Sequence, residues 1–247
     1  MLNSSLQLVL SEKVNMESTN AIVQKRITVV EKVMGANNRL AAANRAILDD
    51  ADIFSLNIMA SPGAGKTSLI ECTIRNLSGN TTIAVIDGDI ATSIDADRAA
   101  TAGAVAVQIN TGGECHLDAT MISQALSQLD LSEIDLLIVE NVGNLVCPAG
   151  FQLGCHKSVL VASIPEGDDK PYKYPGMYHG VDALVINKVD LLPYVPFDME
   201  YFKRGVEILN PGVQTFPLSC LTGEGIGQWL EWVSANVHEH NKPTQRR

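Results

Sequence analysis

The sequence predicts an α/β fold: a mainly parallel β-sheet flanked by helices, with a short N-terminal extension that carries one helix. Three observations lead there. From Ala51 onward, short buried-strand signals alternate with segments of helical periodicity. Alternation of β and α at this length implies a parallel sheet covered on both faces. A glycine-rich loop sits between the first strand signal and the helix after it, and such sheets bind ligands at the C-terminal ends of their strands.

The elements follow in order. Residues 1–20 are polar and aperiodic and read as a flexible tail. Residues 21–50 form the extension, extended over Lys25–Val30 and helical over Glu31–Leu48. Its apolar positions Val33, Ala36, Leu40, Ala43 and Ile47 recur at three-to-four spacing, and Asp49-Asp50 close it. The main domain covers 51–240, and 241–247 is a tail. Strand signals lie at 54–59, 82–86, 104–109, 134–139, 158–164, 181–186 and 213–218. Helices fit near 66–78, 94–102, 116–129, 198–209 and 226–238.

Composition narrows the function classes. A length of 247 residues with 46% hydrophobic residues supports one α/β domain with an appendage. A net charge of −10 argues against nucleic acid or an anionic membrane as the main partner. No apolar run approaches the roughly 20 residues needed to span a bilayer, and residues 1–15 carry no signal-peptide pattern. Five cysteines without paired spacing fit a reducing, cytoplasmic setting.

Ala60-Ser61-Pro62-Gly63-Ala64-Gly65-Lys66-Thr67 is a P-loop with Ala60 where glycine usually stands. Its glycines let backbone N–H groups approach phosphate without a Cβ in the way. Gly63, Ala64, Gly65, Lys66, Thr67 and Ser68 form the phosphate-binding set, with Lys66 at the β/γ-phosphates and the Thr67 hydroxyl on Mg²⁺. About 120 residues later, Asn187-Lys188-Val189-Asp190 follows another strand signal. A carboxylate at Asp190 accepts from the guanine N1–H and exocyclic amine, a donor pair that adenine lacks on that edge. Mismatch leaves buried polar groups unpaired, so discrimination is large. Lys188 lays its stem over the base, Asn187 ties this loop to the P-loop, and Ser219-Cys220-Leu221 is placed to reach the base O6 by backbone N–H.

A GTPase senses its γ-phosphate through Mg²⁺ and mobile loops. Asp89, after the second strand signal, is the candidate Mg²⁺-linked carboxylate of the first switch, with helix capping as the competing role; Asp95 is as well suited to a cap. Leu136-Leu137-Ile138-Val139-Glu140 is an apolar strand ending in an acid, and Glu140-Asn141-Val142-Gly143 is a Glu variant of Asp-x-x-Gly. Gly143 can donate its N–H to the γ-phosphate. No glutamine follows it to orient water, so slow hydrolysis is expected, with Asp89 or Glu140 positioning the water and Lys66 completing the catalytic set.

Cys115-His116 opens the helix after the third strand signal, and Cys147 follows the second switch. Two thiolates and an imidazole form a soft ligand set suited to Zn²⁺ or Ni²⁺, one ligand short of a closed site. Burial as ordinary core thiols is the competing reading, and it is the one adopted for Cys72 and Cys220. Cys155-His156 is a rival pair. His179, His238 and His240 read as surface groups.

Taken together, these residues resemble the HypB family of hydrogenase nickel-incorporation GTPases. The likeness runs from about Val30 to Val237 and rests on Asn110–Ala119, Glu140–Pro148, Glu166–Pro171 and Asn187–Pro193. It implies a P-loop GTPase fold of the SIMIBI type, with GTP/GDP and Mg²⁺ as cofactors. It also implies Ni²⁺ or Zn²⁺ at Cys115, His116 and Cys147. Further implied are a homodimer dependent on GTP or metal, a HypA-type zinc/nickel partner, and a [NiFe]-hydrogenase large subunit as the recipient. Residues 1–20 hold no cysteine and no histidine-rich tract, so only the site in the GTPase domain is expected here.

Cys147 lies seven residues after Glu140, so second switch and metal loop are one segment, and metal affinity and nucleotide state are expected to be linked. Leu191-Leu192-Pro193-Tyr194-Val195-Pro196 offers either a dimer contact or packing within the domain. Three alternatives remain at this level. One is a sister GTPase serving urease, against which stands Ala149 after Cys147-Pro148. The others are a P-loop ATPase or kinase, and a non-enzymatic metal-binding protein stabilised by nucleotide.

Overall fold

The computed structural model describes residues 33–89 and 94–241. The expected segment over Lys25–Val30 and the tail at 1–20 lie outside the described residues, as does the C-terminal tail apart from Asn241. The first strand, β1 (Phe54–Ala60), is buried along its whole length because it occupies the middle of the sheet. It is joined by β2 (Ile83–Asp89), β3 (Val105–Asn110), β4 (Leu136–Glu140), β5 (Lys157–Ser163), β6 (Ala183–Asn187) and β7 (Gln214–Pro217). All pairings among these seven strands are parallel, in the order β3-β2-β4-β1-β5-β6-β7.

Side-chain alternation divides the core into two faces. Leu56, Ile58, Val85, Ile138, Val161 and Val185 point to one face. There they pack under α2 (Lys66–Leu77) and α8 (Ile226–His240), with α3 (Ile94–Ala102) at the edge. The buried Trp229 of α8 donates its Nε1–H to Thr73 Oγ1 of α2 at 2.8 Å, which joins these helices while satisfying a polar atom in the core. The intervening residues face the other way. Ala84, Ile86, Leu137 and Val139 meet α4 (Ala119–Leu126), and Leu160, Ala162, Leu184 and Ile186 meet α6 (Pro175–Tyr178) and α7 (Met199–Leu209). The short α5 (Lys170–Lys173) precedes α6.

Three sequence expectations need correction. The helix expected from 116 begins at Ala119, because the Asp118 side chain caps it by accepting the Met121 N–H at 2.8 Å. Cys115 and His116 therefore lie in the loop before that helix. The N-terminal helix, α1, covers residues 33–50 of the described chain, and the apolar stripe expected to dock it faces outward: Val33, Leu40 and Ile47 are all exposed. Its buried face is Asn37, Ala41, Asn44 and Leu48, so apolar burial and hydrogen bonding share the docking. His240, expected on the surface, is half-buried against His156, with ring centroids 4.3 Å apart. The apolar run at 191–196 splits: Leu191 and Val195 pack on the α7 side of the core, whereas Tyr194 is exposed.

Candidate functional site

Every loop that carries chemistry leaves the C-terminal edge of the sheet. The loop after β1 turns through Gly63 (φ 78°) and Gly65 (φ 101°) into the N-terminus of α2. At Gly65 a Cβ would stand 2.3 Å from Asn187 Nδ2, so only glycine permits both the left-handed turn and this approach. Asn187 Nδ2 in turn donates to the Ala64 carbonyl at 3.0 Å, and Lys188 Nζ to the Gly63 carbonyl at 2.6 Å. The Ser61 hydroxyl donates to Glu166, a residue the sequence signalled only through family likeness.

Two hollows adjoin this loop. The first, about 510 Å³, is lined by Lys66, Thr67, Asp89, Glu140 and Gly143 among others. Gly143 closes on the P-loop so tightly that a Cβ there would meet Lys66 Nζ and Pro62 at 3.2 Å. In the wall of this hollow Asp87, Asp95 and Glu140 bring carboxylate oxygens within 4.8 Å of one another. Asp89 is the last residue of β2, which runs three residues beyond the strand signal, and it lines the hollow; Asp87 is the acid that the sequence did not single out. Asp87 pairs in register with Glu140, and its Oδ2 is buried with no partner. Burial raises Glu140 to about 7, against the opposing hydrogen bond from Thr67 Oγ1 at 2.7 Å. Burial, then Asp95 and Asp89, raises Asp87 to about 6.

These shifts set a pH dependence. A carboxyl whose folded pKa is raised contributes stability below its unfolded pKa and loses it as pH rises through the folded value. For Glu140 the window runs from 4.5 to about 7, and the cost at its upper end is on the order of 3 kcal/mol. Glu140→Gln is therefore expected to raise the metal-free melting temperature at pH 8 and leave it little changed at pH 4, by differential scanning calorimetry. An equal effect at both pH values would contradict the assignment.

The second hollow, about 290 Å³, is lined by Gly65, Ser68, Asn187, Lys188, Asp190, Leu191, Ser219, Cys220 and Leu221. The sequence-selected base-reading residues thus gather in one place. Asp190 Oδ1 is buried there without a hydrogen-bond partner. The Cys220 N–H reaches Asn187 Oδ1 at 3.3 Å and the Leu221 N–H reaches Ser219 Oγ at 3.2 Å, both long bonds.

The third grouping is Cys115, His116 and Cys147, half-buried, with ligand atoms within 4.8 Å of one another. Cys115 Sγ lies 3.5 Å from His116 Nδ1, and the His116 ring stacks on Phe151 at 3.8 Å. The hydrogen bond with Cys115 is the first cause of the raised pKa of the Cys147 thiol. Two buried or half-buried asparagines link this grouping to the phosphate hollow. Asn141, next to Glu140, accepts the Leu117 N–H at 3.2 Å. The Asn144 N–H bonds the Ala60 carbonyl at 2.8 Å, and its side chain accepts the Val146 N–H at 2.7 Å and the Cys147 N–H at 3.2 Å.

The rival pair does not join them. Cys155 is half-buried against the core, and desolvation raises its thiol to about 12. His156 sits at the other end of the sheet beside Asp49 and His240. Its Nδ1 accepts the Ser55 N–H at 3.0 Å, so the proton is on Nε2, which donates to Asp49 at 2.7 Å. That tautomer leaves no ring lone pair for a metal.

The sequence model of the CobW/HypB/UreG nucleotide-binding domain matches residues 54–217. The hydrogenase maturation factor HypB of Azotobacter vinelandii is 47% identical over 211 residues, covering 85% of this chain and 70% of that protein. This chain belongs to the HypB family. The crystal structure of HypB from Helicobacter pylori in complex with nickel aligns with a TM-score of 0.79 at 34% identity, covering 86% of this chain and all of the other. The signal recognition particle receptor FtsY of Elizabethkingia anophelis aligns at 0.50 with 14% identity, over 96% of this chain and 84% of that one, a likeness of fold alone. Among the described residues no helix is long and apolar enough to cross a membrane.

Proposed function

We propose that this chain is a GTP-hydrolysing metallochaperone that binds Ni²⁺, or Zn²⁺ at the same ligands, and delivers nickel during maturation of a [NiFe]-hydrogenase. The observation that carries the reading is the single segment Glu140–Cys147. It ends in the phosphate hollow on one side and in the thiol–imidazole grouping on the other. The relatives' description as hydrogenase maturation factors and the nickel in the Helicobacter pylori protein support the choice of client and cargo.

Gly63 to Ser68 hold the phosphates through backbone N–H groups and the Lys66 ammonium. Mg²⁺ fits the acidic wall, since an unpartnered buried carboxylate oxygen of Asp87 faces the same hollow as Glu140. Thr67, Asp89 and Glu140 would hold the ion, which neutralises charge on the transferring phosphoryl group. Asp89 or Glu140 positions the attacking water, and turnover is slow for want of a dedicated glutamine. Gly143 donates to the γ-phosphate, and Asn144 carries its displacement to the Cys147 backbone. GTP thus favours one arrangement of Cys115, His116 and Cys147, within a homodimer, and hydrolysis releases nickel. A HypA-type zinc/nickel protein and the hydrogenase large subunit are the partners in the cytoplasm; nucleic acid and membrane have no part.

Multiple-turnover phosphate release tests the catalytic half. Wild type is expected to turn over GTP slowly and ATP not at all, and Lys66→Ala to lose about 10²-fold or more. Turnover that survives Lys66→Ala, or that is equal with ATP, would contradict the proposal.

A further inference from the structure

Helix α1 touches neither nucleotide hollow, and the expected apolar face of α1 is not the face it buries. Beside Ala41 and Leu48 it buries Asn37 and Asn44, which together with the half-buried Arg45 bond the backbone that follows the two loops carrying the metal-type residues. Asn44, 1% exposed, uses one amide nitrogen to donate to the Ala119 carbonyl at 2.8 Å and the Leu153 carbonyl at 3.1 Å. Asn37 accepts the Ala119 N–H at 2.9 Å and donates to the Gln152 carbonyl at 2.9 Å. Arg45 donates through Nε to the Gly154 carbonyl at 2.7 Å and through its guanidinium to the Cys155 carbonyl.

Ala119 is three residues past His116, and Gln152–Leu153 begins one residue past Phe151, the ring on which His116 stacks. Each asparagine therefore bridges the segment following Cys115-His116 to the segment following Cys147. The approach is close: a Cβ on Gly154 (φ 99°) would stand 2.5 Å from the Ala41 carbonyl of α1. We infer that Asn37 and Asn44 of α1 are positioning residues for the Cys115–His116–Cys147 site, holding its two loops at the separation a metal needs. The inference rests on that grouping being the metal site. Groups hydrogen-bonded directly to metal ligands typically contribute about 10- to 100-fold to affinity; Asn37 and Asn44 hold the ligands' loops rather than the ligands, so their loss is expected at or below the lower end of that range.

The test is Ni²⁺ titration of the full chain carrying Asn44→Asp or Asn37→Ser, followed by calorimetry and by the thiolate-to-nickel absorption band, with GDP affinity measured in parallel. Asp keeps the shape of Asn44 but cannot donate to the two carbonyls. The expected result is nickel affinity reduced by up to about 10-fold, with a shifted or weakened band and GDP affinity within about twofold of wild type. Unchanged nickel affinity and spectrum in either folded variant would overturn the inference. Nickel and GDP affinity falling together would also overturn it, by marking α1 as general scaffold. Asn37→Ser, nearer the end of the helix, decides the matter if Asn44→Asp does not fold. Cys115→Ala/Cys147→Ala runs alongside: loss of nickel there without loss in the asparagine variants rejects the positioning role alone, whereas retained nickel there rejects the metal site itself.

Discussion

Asp190→Asn is expected to weaken GDP and GTP binding by about 10²-fold or more while the fold is retained. The Asp190 Oδ1 atom is buried with no partner, in a hollow walled by Asn187, Lys188 and Ser219. An acceptor left unpaired at that depth costs roughly 1–3 kcal/mol, more when charged, unless a ligand supplies the donors. Guanine supplies two. An amide at this position keeps one acceptor, for the N1–H, but sets its NH₂ against the exocyclic amine, which removes one of the two bonds and leaves donor facing donor. Xanthine carries a carbonyl where guanine carries the amine, so the same variant is expected to gain affinity for xanthosine diphosphate. Fluorescence titration with both nucleotides reads the two effects. Equal guanine affinity in wild type and variant would mean that the base sits elsewhere.

Cys147→Ala and Cys115→Ala are each expected to weaken Ni²⁺ and Zn²⁺ binding by about 10²- to 10³-fold. That range follows from sharing the roughly 10–16 kcal/mol of a four-ligand thiolate–imidazole zinc site among its ligands. Cys155→Ala is the control. It packs half-buried against the core, outside the grouping of Cys115, His116 and Cys147, and its loss should cost stability and leave metal affinity unchanged. Equilibrium dialysis against each metal separates the three variants. A large loss on Cys155→Ala would move the site to the other end of the sheet.

The parts of this site that were legible in the sequence are those whose residues are neighbours along the chain. The P-loop, Asn187–Asp190 and the acid at the end of β4 each declare their chemistry within a few residues, and a parallel sheet puts all their loops on one edge. The same logic placed Cys115, His116 and Cys147 together. What escaped depends on register and on distant partners. Asp87 reads as a strand residue until β2 is known to lie beside β4, where it pairs with Glu140. The orientation of α1 escaped because apolar periodicity selects Val33, Leu40 and Ile47, while the bonds that dock the helix join Asn37 and Asn44 to backbone 75 to 115 residues away. The start of α4 was placed early because Asp118 ends the loop by capping, a local signal outweighed by the helical pattern on either side.

The central claim is that the nucleotide sets the metal site through Gly143, Asn144 and Cys147. It is tested most directly by calorimetric Ni²⁺ and Zn²⁺ titration of wild type and of Cys115→Ala/Cys147→Ala, each loaded with GDP and then with a non-hydrolysable GTP analogue. The account predicts that metal affinity of the wild type changes between the two nucleotides, by the 5- to 150-fold typical of coupled sites, and that the double variant binds weakly in both states. Metal binding that is the same with either nucleotide, or that survives in the double variant, would contradict it.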